Sequence, residues 1–354
     1  MFFVTYHGGK PQKGQSKKKE FNNIYAYDQN GQPLSSSVLQ PKTAGDLSEL
    51  RGFNFFQGNL YVANGGKEVD DILCFSGSGL NYEEIGPFVT GQTVNSIDHP
   101  FAMAFDANGH CFVSNQNTDL VTQLKLKTPP TTATAVKGAA ASYLRQFDKA
   151  NTFLNGTFVA SSYGCLPDVP ATTPVPGNRG GLDVAILSGK VQNSVRDIVL
   201  AGPGTPPTPL LLYVVDEPGN LIRIYDPVTG TPCGISNQVL EPTHLLVDDG
   251  TLYVSAGNQI LKAPLCSAPG RSATDICLQL APIAYTPPGG VNVDQLAFSG
   301  MAFDPDGNFY LAVRTKDQIW KYPNADFTQP VLWLNCPPGS APEFIAYVGA
   351  DPLS

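Results

Sequence analysis

Charged residues are scarce in this 354-residue chain. Asp, Glu, Lys and Arg together make up 15% of it, well below the quarter found in an average soluble domain. Such a composition excludes a coiled coil and a charged disordered tail. No run approaches the ~20 consecutive apolar residues of a membrane-spanning helix, so no membrane span is expected. The seven cysteines show no Cys-x-x-Cys and no zinc-type Cys/His spacing, which leaves dithiol-motif redox, haem and structural-zinc readings without support. Bases are outnumbered by acids, 22 to 30, for a formal charge of −8. Nucleic-acid binding needs a basic face to meet phosphates, and no nucleic-acid partner is expected. One local exception, Lys10, Lys13, Lys17, Lys18 and Lys19, reads as a solvated loop or as an arm that attracts anions. Neither a phosphate loop nor a Gly-x-Ser-x-Gly elbow is present.

Turn formers are abundant: 35 glycines and 31 prolines. Hydrophobic residues reach 42%, enough for a substantial core. One short strand recurs, made of an aromatic, a branched apolar and a small residue in succession. It starts at Phe3, Tyr61, Phe112, Phe158, Tyr213, Tyr253 and Tyr310. A second strand follows most copies, as in DILCF from Asp71, DVAIL from Asp183 and QIWKY from Gln318. A preceding strand ends in Asp/Asn/Gly turn chemistry in MAFDANG from Met103, LLVDDG from Leu245 and MAFDPDG from Met301, which suits tight hairpins. No helical periodicity intervenes.

Each unit is therefore an antiparallel meander of about four strands. Radial packing lets neighbouring meanders cover each other's faces. The reading is an all-β fold, a seven-bladed β-propeller over 1–354 as a single domain, with six blades as the alternative because the region from 137 to 200 has no clean first strand. The chain begins at what should be the second strand of a blade. Its missing first strand is expected from Glu343 to Gly349, which closes the ring across the termini.

The alternation of Phe/Tyr-Val-small strands with Asp-x-x-Gly turns resembles the NHL-repeat propellers and the wider group that holds gluconolactonase-like lactonases and streptogramin B lyases. The resemblance covers nearly the whole chain, but its motif marks a fold rather than an activity. It implies a pocket on the propeller axis and, in the lactonases, a divalent cation held by carboxylate and Asn oxygens.

On the rim shared by the starts of first strands and the ends of second strands, the expected site residues are few. Arg51, His99, His244 and Ser299 come from first strands, and Tyr6, Asn64, Asn115, Ser161 and Asp216 from second strands. His7, Glu217 and Arg314 lie just beyond. His244 is the candidate general acid or base, since imidazole titrates near neutrality, with His99 and Asp216 beside it as catalytic candidates. Arg51, Asn64, Asn115, His7, Arg314 and Ser299 are the ligand-binding candidates. Glu49, Asn64, Asn115 and Asp216 form a candidate oxygen set for Ca2+ or Mg2+, though they do not reproduce the lactonase ligand motif. The expected function is binding of a small molecule, carbohydrate or protein at this rim and pocket by a monomer. The alternative is a metal-assisted lactonase or lyase using the same pocket. Low charge, long polar loops and the sequon Asn155-Gly156-Thr157 suggest a secreted or periplasmic protein whose leader has been removed, with a cytoplasmic location as the alternative. Cys266 and Cys277 flank a polar loop and are placed to pair in an oxidising compartment.

Overall fold

The computed structural model describes residues 1–8, 21–43, 46–66, 69–91, 97–117, 120–126, 141–148, 153–155, 194–202, 210–228, 230, 232–267 and 275–349. Its regular elements there are strands and short 3-10 turns. The strands form six sheets, here blades I to VI in chain order. Each runs outward from the axis. Blade I holds Pro342–Tyr347, Phe2–Tyr6, Tyr25–Tyr27 and Pro33–Ser35. Blade II holds Leu50–Phe56, Asn59–Gly66, Val69–Ser78 and Asn81–Thr90, with Leu39–Gln40 at its outer edge. Blade III holds Pro100–Phe105, His110–Asn115, Leu120–Leu126, Ala141–Asp148 and Phe153–Asn155. Blade IV holds Val195–Ala201, Leu211–Asp216, Leu221–Tyr225 and Pro232–Ser236, and Ile276–Leu278 adds in parallel outside them. Blade V holds Pro242–Asp248, Thr251–Ala256, Gln259–Pro264 and Ala281–Pro282. Blade VI holds Phe298–Phe303, Phe309–Val313, Gln318–Tyr322 and Val331–Asn335.

The recurring triplet explains how blades stack. Side chains on a strand alternate between faces, and each second strand lies between two neighbouring blades. Its aromatic residue packs against the following blade: Phe3 against II, Tyr61 against III, Phe112 against IV, Tyr213 against V, Tyr253 against VI and Tyr310 against I. The branched residue after it packs against the preceding blade, as Val4, Val62, Val113, Val214, Val254 and Leu311 do. Six interblade cores result, one for each neighbouring pair.

The ring therefore has six blades, and the expectation of seven is corrected. Phe101, Ala104 and Phe112 of blade III share one core with Ile198, Leu212 and Val214 of blade IV, so those blades are direct neighbours and no blade stands between them. The fourth copy, at Phe158 and Asp183, lies outside the described residues. The closure across the termini is present. Phe2, Phe3 and Val4 pair antiparallel with Tyr347, Ala346 and Ile345, and the Met1 amine donates to the Val348 carbonyl at 3.0 Å.

Innermost strands also touch laterally. A Cβ on Gly300 would lie 2.6 Å from the Glu343 carbonyl oxygen, and one on Gly52 2.8 Å from that of Phe101. Only glycine admits such close backbone approach. Side chains also stitch neighbouring blades together. Thr5 donates to the Arg51 carbonyl at 3.0 Å, Ser299 to the Pro342 carbonyl at 2.6 Å, and Asp197 accepts from the Leu245 N–H at 2.9 Å.

Candidate functional site

All six innermost strands enter the ring from the same face, and each carries a bulge in its first turn of register. The slips fall at Pro342–Phe344, Leu50–Phe53, Pro100–Met103, Val195–Ile198, Pro242–His244 and Phe298–Met301. A bulge bends a strand and re-aims side chains, and here it does so at one height around the axis. In four blades the residue before the strand has a left-handed backbone: Glu49, His99, Glu241 and Ala341, with φ of +49°, +52°, +54° and +49°. Three of them precede proline. Such backbone costs about 1–2 kcal/mol for an L residue. Each of the four carbonyls accepts a backbone N–H from the end of the neighbouring second strand, at 3.0–3.4 Å, which fixes the entry angle.

The resulting layer comprises Arg51, Phe101, Arg196, His244, Ser299 and Glu343, with His7, His99 and Arg314 above it. Arg51 is 2% exposed. Its guanidinium donates to Nε2 of His99 at 3.0 Å and to Nδ1 of His7, and Glu49 lies 3.5 Å away. Because Arg51 can only donate, the accepting nitrogens of both histidines are unprotonated. Burial lowers the Arg51 pKa to about 10, with Glu343 opposing and Arg314 and Arg196 adding to the fall. It stays charged at neutral pH. Burial, then Arg51 and Arg196, pull His99 down to about 4.

Glu343 is fully buried. One oxygen is 3.4 Å from Arg314 and 3.9 Å from His7; the other is 3.9 Å from Nε2 of His244. Burial alone would raise its pKa, but Arg314, Arg51 and His244 outweigh it and hold the carboxyl below its ordinary value. His244 is pulled down to about 3, chiefly by burial and against the pull of Glu343. It sits between the rings of Phe101 and Phe344, with centroids 5.3 and 4.6 Å away. Arg196 lies over Phe101 at 5.3 Å and forks onto Glu217 at 2.9 and 3.2 Å. Below His244 and Phe344 runs an axial cavity of about 440 Å³, lined also by Asn54, Met103, Asp197 and Met301. Within the layer, Nε of Arg51, both ring nitrogens of His244 and both oxygens of Glu343 are buried without a hydrogen-bond partner among the described residues.

Five sequence-nominated residues thus converge: Arg51, His7, His99, His244 and Arg314. Others do not. Asn64 is used by the Ser48 N–H, the Asp46 carbonyl and Asp71. Asn115 donates to Val113 and Thr122. Asp216 pairs with Arg223 at 2.7 Å and caps the turn at Gly219, so it orients no histidine. Ser299 lies in the layer, but its hydroxyl is spent on the blade joint. Ser161 lies outside the described residues. The expected oxygen set of Glu49, Asn64, Asn115 and Asp216 is not brought together. The layer itself offers one carboxylate, Glu343, and the carboxylates beside it, Glu49 and Glu217, are each paired with an arginine, which does not fit a hard divalent cation that needs several free oxygen ligands. No group of three or more His, Cys, Asp or Glu among the described residues could hold a metal ion.

Sequence reasoning missed Glu343, Arg196, Phe101 and Phe344. A usable signal existed for the first three: like Arg51, each is the second residue of its innermost strand. Glu343 opens a strand read only for its closing role, and the strand of Arg196 lacks the Asp/Asn/Gly hairpin.

No protein-family model matches the chain, and no curated protein matches it in sequence. Among solved structures, a streptogramin B lyase superposes with TM-score 0.52 at 13% identity over 98% of this chain and 91% of the other. The periplasmic gluconolactonase of Pseudomonas aeruginosa gives 0.51 at 13% identity over 94% and 82%. A chain of a nidogen/laminin complex gives 0.50 at 12% identity over 98% and 96%. At these identities the likeness is one of fold alone: the chain is a β-propeller. Among the described residues, no helix is long and apolar enough to cross a membrane.

Proposed function

We propose that the protein binds a small hydroxyl-rich molecule, of the sugar, sugar-acid or sugar-lactone class, on the propeller axis. The observation that carries this is the set of five buried polar atoms on Arg51, His244 and Glu343 that make no hydrogen bond among the described residues. Buried polar groups are costly unless paired. This set mixes an obligatory donor, obligatory acceptors and an imidazole that is one of each. Hydroxyls, which donate and accept at once, answer such a set. Each guanidinium already has a carboxylate of its own: Arg51 with Glu49, Arg196 with Glu217 and Arg314 with Glu343. A neutral ligand therefore suits the layer as well as an anion does. Phe101 and Phe344 supply apolar faces for the ring carbons of such a ligand, in keeping with the few polar and several apolar walls of small-molecule sites.

A second reading, hydrolysis or elimination in the same pocket, is favoured by the neutral, buried His244 beside Glu343. In it His244 would take a proton from an attacking water or from substrate, and Arg51 would meet the developing negative charge. A pKa of about 3 makes His244 a weak base, far from the near-neutral value that serves general catalysis. Binding is therefore the first reading.

The test is calorimetric titration with a panel of monosaccharides, their aldonic acids and their lactones, followed by product analysis of the lactones. Saturable binding that falls at least tenfold in Glu343→Gln supports the proposal. Turnover of a lactone by the native protein, lost in His244→Gln, replaces it with the second reading. A panel without a binder overturns both.

A further inference from the structure

Between the third strand of blade V and its last, the chain leaves its own blade. It crosses from Cys266 to the edge of blade IV, adds Ile276–Leu278 alongside Pro232–Ser236, and returns as Ala281–Pro282. This strap ties the two blades together at their outer edges. Leu265, Cys266, Leu278 and Leu280 bury into the core between them, and the Cys266 N–H donates to the Tyr213 hydroxyl at 3.0 Å. At its two roots the thiols of Cys266 and Cys277 meet, with their sulfurs 2.8 Å apart. Cys266 also reaches the Cys277 carbonyl at 3.2 Å. Both are free thiols.

We propose that Cys266 and Cys277 are a disulfide-forming pair that locks this strap, oxidised by exchange with a low-molecular-weight disulfide of the glutathione class. The geometry assigns the order of events. Cys277 is only half-buried and Cys266 is buried, so Cys277 meets the oxidant first. The Cys266 thiol donates to it and holds its pKa below the ordinary value, which favours the thiolate that exchange requires. Its sulfur attacks one sulfur of glutathione disulfide. That S–S bond breaks, its electron pair leaves on a glutathione thiolate, and this takes up the proton Cys277 gave to solvent. Cys266 then loses its proton and attacks the Cys277 sulfur of the mixed disulfide, which releases the second glutathione as a thiol. Two protein thiols are oxidised and one glutathione disulfide is reduced to two thiols.

The other described cysteines are poor competitors. Burial pushes Cys74, Cys233 and Cys336 up to about 12 and Cys111 well above its ordinary value. Cys233 is the one near rival, since it lies on the strand beside the strap. A Cβ on its neighbour Gly234 would lie 2.6 Å from the Cys277 sulfur.

The experiment starts from the reduced full-length protein, equilibrates it with glutathione disulfide, alkylates what remains and maps linkages by peptide mass spectrometry. The expected result is a Cys266–Cys277 linkage and a melting temperature about 5 °C above that of the reduced protein. In Cys266→Ser the reaction should stop at one glutathione adduct on Cys277, because the resolving thiol is gone. In Cys277→Ser, a change at a half-buried position, Cys266 should stay reduced. A Cys233–Cys277 linkage, or Cys266 and Cys277 both still alkylatable after oxidation, overturns the proposal.

Discussion

His244 shows how strongly its surroundings set a residue's chemistry. Its folded-state pKa near 3 lies below the unfolded value of about 6.5. As pH falls through 6.5 the unfolded chain takes up a proton that the folded chain refuses, so stability is lost from there downward. His99, held near 4, acts in the same direction. Glu343, also depressed, adds its loss once pH falls below its unfolded value of about 4.3. Asp197 opposes them. Burial raises it to about 7, so between pH 7 and 4 the folded chain holds the extra proton and gains. These effects overlap in a plain stability curve, but a comparison with His244→Gln isolates one group. Urea melts at pH 7.5 and 4.5 should show the stability difference between native protein and variant moving by about 2 kcal/mol in favour of the variant at the lower pH. An unchanged difference would mean that His244 titrates as a solvated imidazole, and the reading of the layer as a dry, ligand-matched surface would go with it.

At the scale of strands, the six bulges and the close approach of innermost backbones place the site. Gly300 is the sharpest case, because the atoms facing its missing Cβ are all backbone: the Glu343 oxygen at 2.6 Å, the Ile345 nitrogen at 2.8 Å and the Phe344 Cα at 2.9 Å. None can swing aside. Gly300→Ala should destabilise the fold by about 1–3 kcal/mol, as overpacking does, and should also weaken ligand binding by displacing Glu343; denaturant melts and titration read the two effects separately. The strand scale is also where sequence reading succeeded and where it failed. The aromatic-branched-small triplet was legible because alternation sends its first two residues to opposite neighbours in every described blade. The same alternation explains why Asn64, Asn115 and Asp216 misled. They stand at or near the ends of second strands, whose side chains face neighbouring blades, so they serve the joints between blades and the turns beyond. Arg51 and His244 were legible because they lie on first strands, whose early residues the bulges turn toward the axis. Blade count was not legible, because the triplet at Phe158 reads like the others. What decides the number is which blades touch, and Phe112 meets Leu212 and Val214 in one core.

For the whole molecule, the ring depends on one strand that is last in sequence and innermost in blade I. Pro342–Tyr347 pairs with Phe2–Tyr6, accepts the Ser299 hydroxyl from blade VI, faces Gly300 at backbone contact, and brings Glu343 and Phe344 to the axis. Without it the cores between VI and I and between I and II lose Ile345 and a wall each, and the site loses its only described carboxylate in the layer. A propeller manages its sheet edges by closing on itself, and removing this strand leaves the first-blade strand Phe2–Tyr6 with an unpaired edge. Deleting residues 343–354 should therefore lower the melting temperature by about 10 °C or more and abolish axial binding. The decisive step is rescue. A synthetic peptide of residues 340–349, added in trans, should pair with the exposed edge as strand-adding peptides do and restore both melting temperature and binding. A truncated protein that melts like the full chain would show that the ring closes elsewhere. Loss of stability that the peptide cannot reverse would show that the deleted segment acts through something other than its place beside Phe2–Tyr6.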